Sequence, residues 1–206
     1  VPPTPELARC VVASGNRGKL REIEYLLAGL GIRFATQAEL GIRGADETGK
    51  TFAENALLKA RHAVQASGLP AIADDSGLSV KALDGRPGVR SARYAGANAT
   101  DQENIAKLLE ELREIPPDQR RASFHCAAVL VMPDSGAAPI VALGEWSGRI
   151  LEAPVGTSGF GYDPVFFDEQ LGKSAAEMTT DEKNAVSHRG KALRQLASRL
   201  RREGAG

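Results

Sequence analysis

Residues 7–19 read LARCVVASGNRGK, an apolar run (LARCVVA) that stops at Ser14-Gly15-Asn16-Arg17-Gly18-Lys19. Behind that loop Leu20, Ile23, Leu27 and Leu30 recur at the spacing of one helix face. A continuous apolar stretch, a glycine-bearing loop and a helical stripe read in turn as strand, loop and helix. This unit sets the class of the fold, because a strand feeding a helix through a short loop builds sheets with helices packed on them.

The same alternation extends outward. Thr51-x-x-Glu54 is a capping box, and Phe52, Ala56, Ala60 and Ala63 form the stripe of a second helix that Gly68 and Pro70 end. Ala71-Ile72-Ala73 is a short apolar strand running into Asp74-Asp75-Ser76-Gly77. Thr100-x-x-Glu103 caps a third helix carrying Ile105, Leu108, Leu109 and Leu112, which Pro116-Pro117 stops. Residues 121–132 and 138–150 are two long strand-like runs, joined as a hairpin through Pro133-Asp134-Ser135-Gly136. A glycine-dense loop from Val155 to Pro164 follows. A last helix is expected over roughly 180–202, with Leu193, Leu196 and Leu200 on one side and several Arg on the other. Early alternation and a late hairpin predict an α/β chain with a mixed sheet flanked by helices. With no repeat and no low-complexity linker, the 206 residues are expected to form one domain with room for two lobes, residues 1–6 being a flexible tail.

The charges balance, 26 Lys+Arg against 26 Asp+Glu. Zero net charge excludes a protein that grips nucleic acid through a bulk positive field, so a polyanion would be held by a local cluster of donors. The longest apolar runs, such as Ala127–Met132, fall far short of the about 18 residues a membrane span needs. Val1-Pro2-Pro3-Thr4-Pro5 offers neither the basic nor the apolar region of a signal peptide. Cys10 and Cys126 lie in apolar segments, where Cys acts as a small hydrophobe, and two such thiols make no disulfide framework. The expectation is a soluble cytoplasmic protein with no nucleic-acid or membrane partner.

Four segments carry chemistry, and each has a plainer reading beside it. Ser14-Gly15-Asn16-Arg17-Gly18-Lys19 opens a helix, where backbone N–H groups, the helix dipole and Lys19 suit an anion; the alternative is an ordinary strand-to-helix turn. It is not a Walker A loop, since Ala13 stands at the first glycine position and Leu20 where Ser or Thr is required. Asp74-Asp75 at the end of an apolar strand is costly unless solvated, paired or bound to a cation such as Mg²⁺, and such a carboxylate also suits a water-activating base; the alternative is a polar turn. Phe160-Gly161-Tyr162-Asp163 could clamp a planar base between two aromatics, or place two core aromatics in a loop. Pro164 breaks the Gly159-x-Gly161 series, which excludes a dinucleotide-binding fingerprint. Lys183 with Ser187-His188-Arg189 suits base carbonyls or phosphates, or forms a solvated basic helix face. Three His and two separated Cys make no zinc site, and no Gly-x-Ser-x-Gly elbow is present.

Taken in order, these segments resemble the inosine triphosphate pyrophosphatase family, from about Val11 to Leu196. The match comprises Ser14–Lys19, Thr51-Phe-Ala-Glu-Asn-Ala-Leu-Leu-Lys59-Ala, Ala73-Asp-Asp-Ser-Gly77, Gly159-Phe-Gly-Tyr-Asp-Pro164 and Ser187-His-Arg189. The resemblance implies hydrolysis of inosine and xanthosine triphosphates, ribo- or deoxyribo-, to monophosphate and pyrophosphate, with Mg²⁺, in a homodimer. It implies an elongated mixed sheet with an active cleft between two lobes. By motif, Ser14, Gly15, Asn16, Arg17, Gly18, Lys19 and Lys59 are expected at the triphosphate. Asp75 is expected as proton acceptor and metal-linked carboxylate, with Ser76 beside it on the substrate. Phe160, Gly161, Tyr162, Asp163, Lys183, His188 and Arg189 are expected at the base. Alignment of the loop Gly44-Ala45-Asp46-Glu47-Thr48 places the second metal carboxylate at Asp46, with Glu47 and Asp74 as the other candidates. Related readings are a pyrophosphatase for modified pyrimidine triphosphates and a nucleotide-binding module without turnover.

Overall fold

Successive residues of the first strand, β1 (Arg9–Val12), bury themselves in different cores. Cys10 and Val12 pack with Ile23 and Leu27 of α1 (Arg17–Leu27) and Leu193 and Leu196 of α5 (His188–Glu203). Val11 and Ala13 pack instead with Ala56, Ala60 and Ala63 of α2 (Phe52–Ser67). Helices therefore cover both faces of this part of the sheet, which is why its strands read as unbroken apolar runs. The computed structural model describes residues 7–133 and 136–203; the expected tail 1–6 and the hairpin tip at Asp134 and Ser135 lie outside them.

The described strands form one seven-stranded sheet in the order β2-β1-β3-β4-β5-β6-β7. Here β2 is Arg33–Thr36, β3 Ala71–Val80, β4 Arg121–Val131, β5 Ile140–Ile150, β6 Phe166–Asp168 and β7 Lys173–Ser174. β1 pairs in parallel with β2 and β3, whereas β6 pairs antiparallel with β5 and β7, so the sheet is mixed as expected. Both anticipated capping boxes are formed, Thr51 with Glu54 at α2 and Thr100 with Glu103 at α3 (Asp101–Glu111). Each satisfies two otherwise orphaned backbone donors.

Two expectations are corrected. The strand after Pro70 continues through the acidic pair to Val80, because Leu78 and Val80 extend its buried pattern and the carboxylates are neutralised by neighbours described below. The last helix is broken: α4 (Thr180–Val186) ends at Ser187, whose backbone is extended at ψ 156°, and α5 begins at His188. The chain divides into two compact units. One takes the chain up to Asp75, Cys126–Gly144 and the chain from Arg189 onward; the other takes Ser76–His125 and Glu145–His188. The second unit has its own core of Leu78, Leu108, Phe124, Trp146, Phe166 and their neighbours.

Candidate active site

In the first unit, Asn16 caps α1. Its Oδ1 accepts the N–H groups of Gly18 at 2.8 Å and Lys19 at 3.0 Å, while the Asn16 N–H donates to Ser14 Oγ at 3.2 Å. The loop is thus set by its own side chains, and two of the N–H groups expected to cradle phosphate are spent on the cap. What the loop presents is Lys19, whose ammonium lies 3.2 Å from Asp74 Oδ2. Gly15 and Arg17 are exposed beside it.

Adjacent residues of an extended strand point to opposite faces, and Asp74 and Asp75 do so with different company. Asp74 is fully buried, facing Lys19, the Arg189 Nε at 3.1 Å and the Cys126 thiol at 3.9 Å. Arg189 is buried too, and its Nη1 is bound by Glu22 of α1. Burial opposes the ionisation of Asp74, but Lys19 and Arg189, with Lys59 assisting, hold its carboxyl well below the usual range. The same surroundings push the Cys126 thiol up to about 12, through burial first and then the charge of Asp74. The polar-turn reading of the acidic pair is therefore excluded; Asp74 is the centre of a buried ion cluster.

Asp75 faces α2. Its Oδ2 accepts from Asn55 Nδ2 at 3.1 Å, and its Oδ1 lies 3.4 Å from the Lys59 ammonium, which also pairs with Glu47 Oε1 at 2.9 Å. Burial, reinforced by the Glu47 charge, raises the Asp75 carboxyl above its ordinary value despite Lys59 and Lys19. A raised carboxylate is a better proton acceptor near neutrality. Ser76 follows on the same strand, half-buried.

Glu47, not Asp46, is the second acidic group brought to Asp75. Asp46 is exposed and its carbonyl accepts from Thr48, so the loop turns the next side chain, Glu47, toward Lys59. Among the described residues no group of three or more His, Cys, Asp and Glu is assembled that would hold a metal unaided. Two carboxylates converging on one ammonium nevertheless fit Mg²⁺, which takes one or two carboxylates and completes its shell with water and substrate phosphate oxygens.

In the second unit the loop around Phe160 is held from within. Asp163, 3% exposed, accepts the Phe160 N–H at 2.8 Å and pairs with the Lys183 ammonium at 2.6 Å. That ammonium also sits 4.7 Å from the centre of the Phe160 ring. The Gly161 N–H donates to Asp101 at the start of α3, at 2.7 Å. Gly159 has φ +80°, and a Cβ there would fall 2.1 Å from Asp163 Oδ2, so glycine is required. Tyr162 is a correction: its ring is buried in the core and its hydroxyl donates to the Ser91 carbonyl at 2.9 Å. Only Phe160 of the two aromatics is partly exposed and able to stack on a ligand. His188 lies flat against Phe124 at 4.7 Å. The structure brings Lys183 and Asp163 together with Phe160, as expected, but commits Arg189 to Asp74 and Glu22.

Three participants escaped the sequence reading. Asn55 lies inside a quoted motif with no pattern to mark its side chain, Glu22 is one of several charges on α1, and Asp101 reads as helix-start chemistry. Only tertiary contact distinguishes them.

Residues 10–199 match the model of the Ham1 family. The chain is 56% identical over 195 residues to a dITP/XTP pyrophosphatase of Pectobacterium atrosepticum, covering 95% of this chain and 99% of that one. It is 52% identical to the dITP/XTP pyrophosphatase of Escherichia coli K12 over the same shares. Among solved structures, a HAM1 protein from Coxiella burnetii superposes with a TM-score of 0.86 at 49% identity, covering 94% of this chain and 98% of that chain. A nucleoside-triphosphatase, dITP/XTP pyrophosphatase, from Mycobacterium abscessus gives 0.73 at 43% identity, with coverage of 91% and 98%. The match spans every segment of the site just described, and the chain belongs to the Ham1 family.

Proposed function

We propose that this protein hydrolyses non-canonical purine nucleoside triphosphates, ITP, dITP and XTP, to the monophosphate and pyrophosphate. The observation that carries the reading is the placement of Asp75: a carboxylate between Asn55 and the Lys59 ammonium that also holds Glu47, raised above its ordinary value by burial, on the strand whose other face anchors Lys19. Asp75 orients and deprotonates the water that attacks the α-phosphorus. Lys19 and Lys59 neutralise the charge that builds on the departing pyrophosphate. Ser14 and Ser76 supply hydroxyls to the nucleotide. Asp75 and Glu47 would hold Mg²⁺, which would supply Lewis-acid stabilisation of the phosphate oxygens.

Base choice falls to the second unit. Phe160 stacks on the purine, and Lys183, His188 and loop N–H groups offer donors to O6, which adenine replaces with an amino donor. Each buried polar group left unmet costs about 1–3 kcal/mol, so two mismatches give selectivity of roughly 10²–10⁴. No described helix is long and apolar enough to cross a membrane. We place the enzyme in the cytoplasm as a homodimer, the latter to be checked by sedimentation.

Pyrophosphate release with Mg²⁺ from ITP, XTP, dITP, ATP, GTP and dTTP in parallel tests the reading. Strong release from the first three and little from the others is expected. Equal hydrolysis of all six contradicts the base selectivity, preference for a pyrimidine redirects the substrate class, and binding without release leaves a nucleotide-binding module.

A further inference from the structure

Asn55 is fully buried one helical turn before Lys59, and both ends of its carboxamide are engaged. Its Oδ1 accepts the Gly49 N–H at 2.8 Å and its Nδ2 donates to Asp75 Oδ2 at 3.1 Å. The orientation admits no flip. Reversing the amide would set NH₂ against a backbone N–H and a carbonyl oxygen against a carboxylate, two repulsions in place of two hydrogen bonds. Gly49 is shaped for this contact, because a Cβ there would lie 2.6 Å from Asn55 Oδ1 and 2.7 Å from Glu54 Cβ. Asn55 therefore joins the loop that carries Glu47 to the strand that carries Asp75, across a distance that neither backbone bridges.

We infer that Asn55 is a positioning residue for the hydrolysis: its amide fixes Asp75 through Oδ2, leaves Oδ1 as the reacting oxygen beside Lys59, and holds the Glu47 loop in register with it. With Asn55 on Oδ2 and the Lys59 ammonium beside Oδ1, the carboxylate is held at both oxygens, and losing the Asn55 bond frees it to turn; misplacement by about 1 Å can cost around 10²-fold in rate. The inference rests on the role proposed for Asp75.

The test compares Asn55→Ala, Asn55→Asp and Gly49→Ala with Asp75→Asn, and combines Asn55→Ala with Asp75→Asn. Turnover of ITP, affinity for the non-hydrolysable α,β-methylene analogue of ITP, and thermal unfolding are read for each. Asn55→Ala is expected to lower kcat about 10–100-fold, with analogue affinity within about twofold of the parent. Asn55→Asp keeps the Gly49 bond and sets a carboxylate against Asp75, so it is expected to lose as much or more. Gly49→Ala, which strains the link from the loop side, is expected to show a smaller loss of the same kind. Under single-turnover conditions, adding Asn55→Ala to Asp75→Asn is expected to cost less than about twofold further, because the group it acts through is already gone. An equal loss in both backgrounds, a loss confined to analogue affinity, or unchanged kcat in Asn55→Ala and Asn55→Asp overturns the inference. Should Asn55→Ala fail to fold or Asp75→Asn turn over too slowly to follow, the split between kcat and analogue affinity in Asn55→Asp and Gly49→Ala decides it. Full activity in Asp75→Asn refutes the role of Asp75 and the inference with it; loss there with normal Asn55 variants refutes the inference alone.

Discussion

In the first unit, Lys19, Asp74, Arg189 and Glu22 form a continuous chain of opposite charges, with Asp74 and Arg189 buried and Lys19 and Glu22 part-buried at its two ends, and Asp75 stands on the other face of the strand that carries Asp74. In the second unit the loop around Phe160 is fixed mainly by hydrogen bonds to backbone, with one buried ion pair between Lys183 and Asp163. The difference fits the chemistry that the proposed function asks of each. Stabilising a triphosphate as it splits requires fixed charge in a dry setting, and buried charge survives only when paired. Recognising a base requires donors and a flat apolar ring at set positions, which a hydrogen-bonded loop supplies. Variants in the first unit should therefore act on turnover and electrostatics, and variants in the second on base preference.

The largest effect is expected from Asp75→Asn. Turnover of ITP should fall by about 10³-fold or more, while the fold survives. The sign of the charge effect on stability follows from the raised carboxyl: its ionised form disfavours the folded state above the ordinary carboxylate range, and neutral Asn removes that cost. The melting midpoint of Asp75→Asn should equal or exceed the parent's near pH 7. A lower midpoint with intact turnover would reverse the roles assigned to the two neighbouring carboxylates.

Asp74→Asn should do the opposite. It leaves Arg189 and Lys19 facing an uncharged side chain, and breaking a buried pair this way costs about 3–5 kcal/mol, measurable by urea unfolding. Because the Asp74 carboxyl is depressed, its contribution is fully present above the ordinary value of about 3.9 and is lost as pH falls toward its folded value. The stability of Asp74→Asn should consequently fall less steeply in strong acid than the parent's. An identical acid profile would remove Asp74 from the centre of the cluster.

Smaller effects are expected in the second unit. Asp163→Asn keeps an acceptor for the Phe160 N–H but not the charge for Lys183, and kcat/KM for ITP should fall about 10–100-fold, mostly in KM. Tyr162→Phe removes only the bond to the Ser91 carbonyl and should cost about 1 kcal/mol of stability with little change in rate. A tenfold rate loss in Tyr162→Phe would return Tyr162 to the ligand-binding surface.

Much of this arrangement is legible in the sequence where local rules operate. The strand–loop–helix at residues 7–30, both Thr-x-x-Glu boxes and the paired long strands follow from period and capping, and the resemblance singles out Asp75 with Lys19 and Lys59, which the structure sets beside the acidic pair. What escapes is whatever depends on partners distant in the chain. The acidic pair looks like a strand end until Arg189, 115 positions away, is seen neutralising Asp74. The helix break at Ser187 leaves no proline or glycine to mark it. The choice of Glu47 over Asp46 depends on how one loop turns beside Lys59, and neither spacing nor residue type encodes that.

The division of labour between the units is tested most directly by the ratio of kcat/KM for dITP to that for dATP, measured in the parent, Lys59→Met and Lys183→Gln. The ratio is independent of the fraction of enzyme folded, since both substrates meet the same population. Lys59→Met should depress both substrates alike and leave the ratio unchanged, whereas Lys183→Gln should collapse it toward unity. A shifted ratio in Lys59→Met, or an unchanged one in Lys183→Gln, would contradict the assignment of phosphate chemistry to the first unit and base choice to the second.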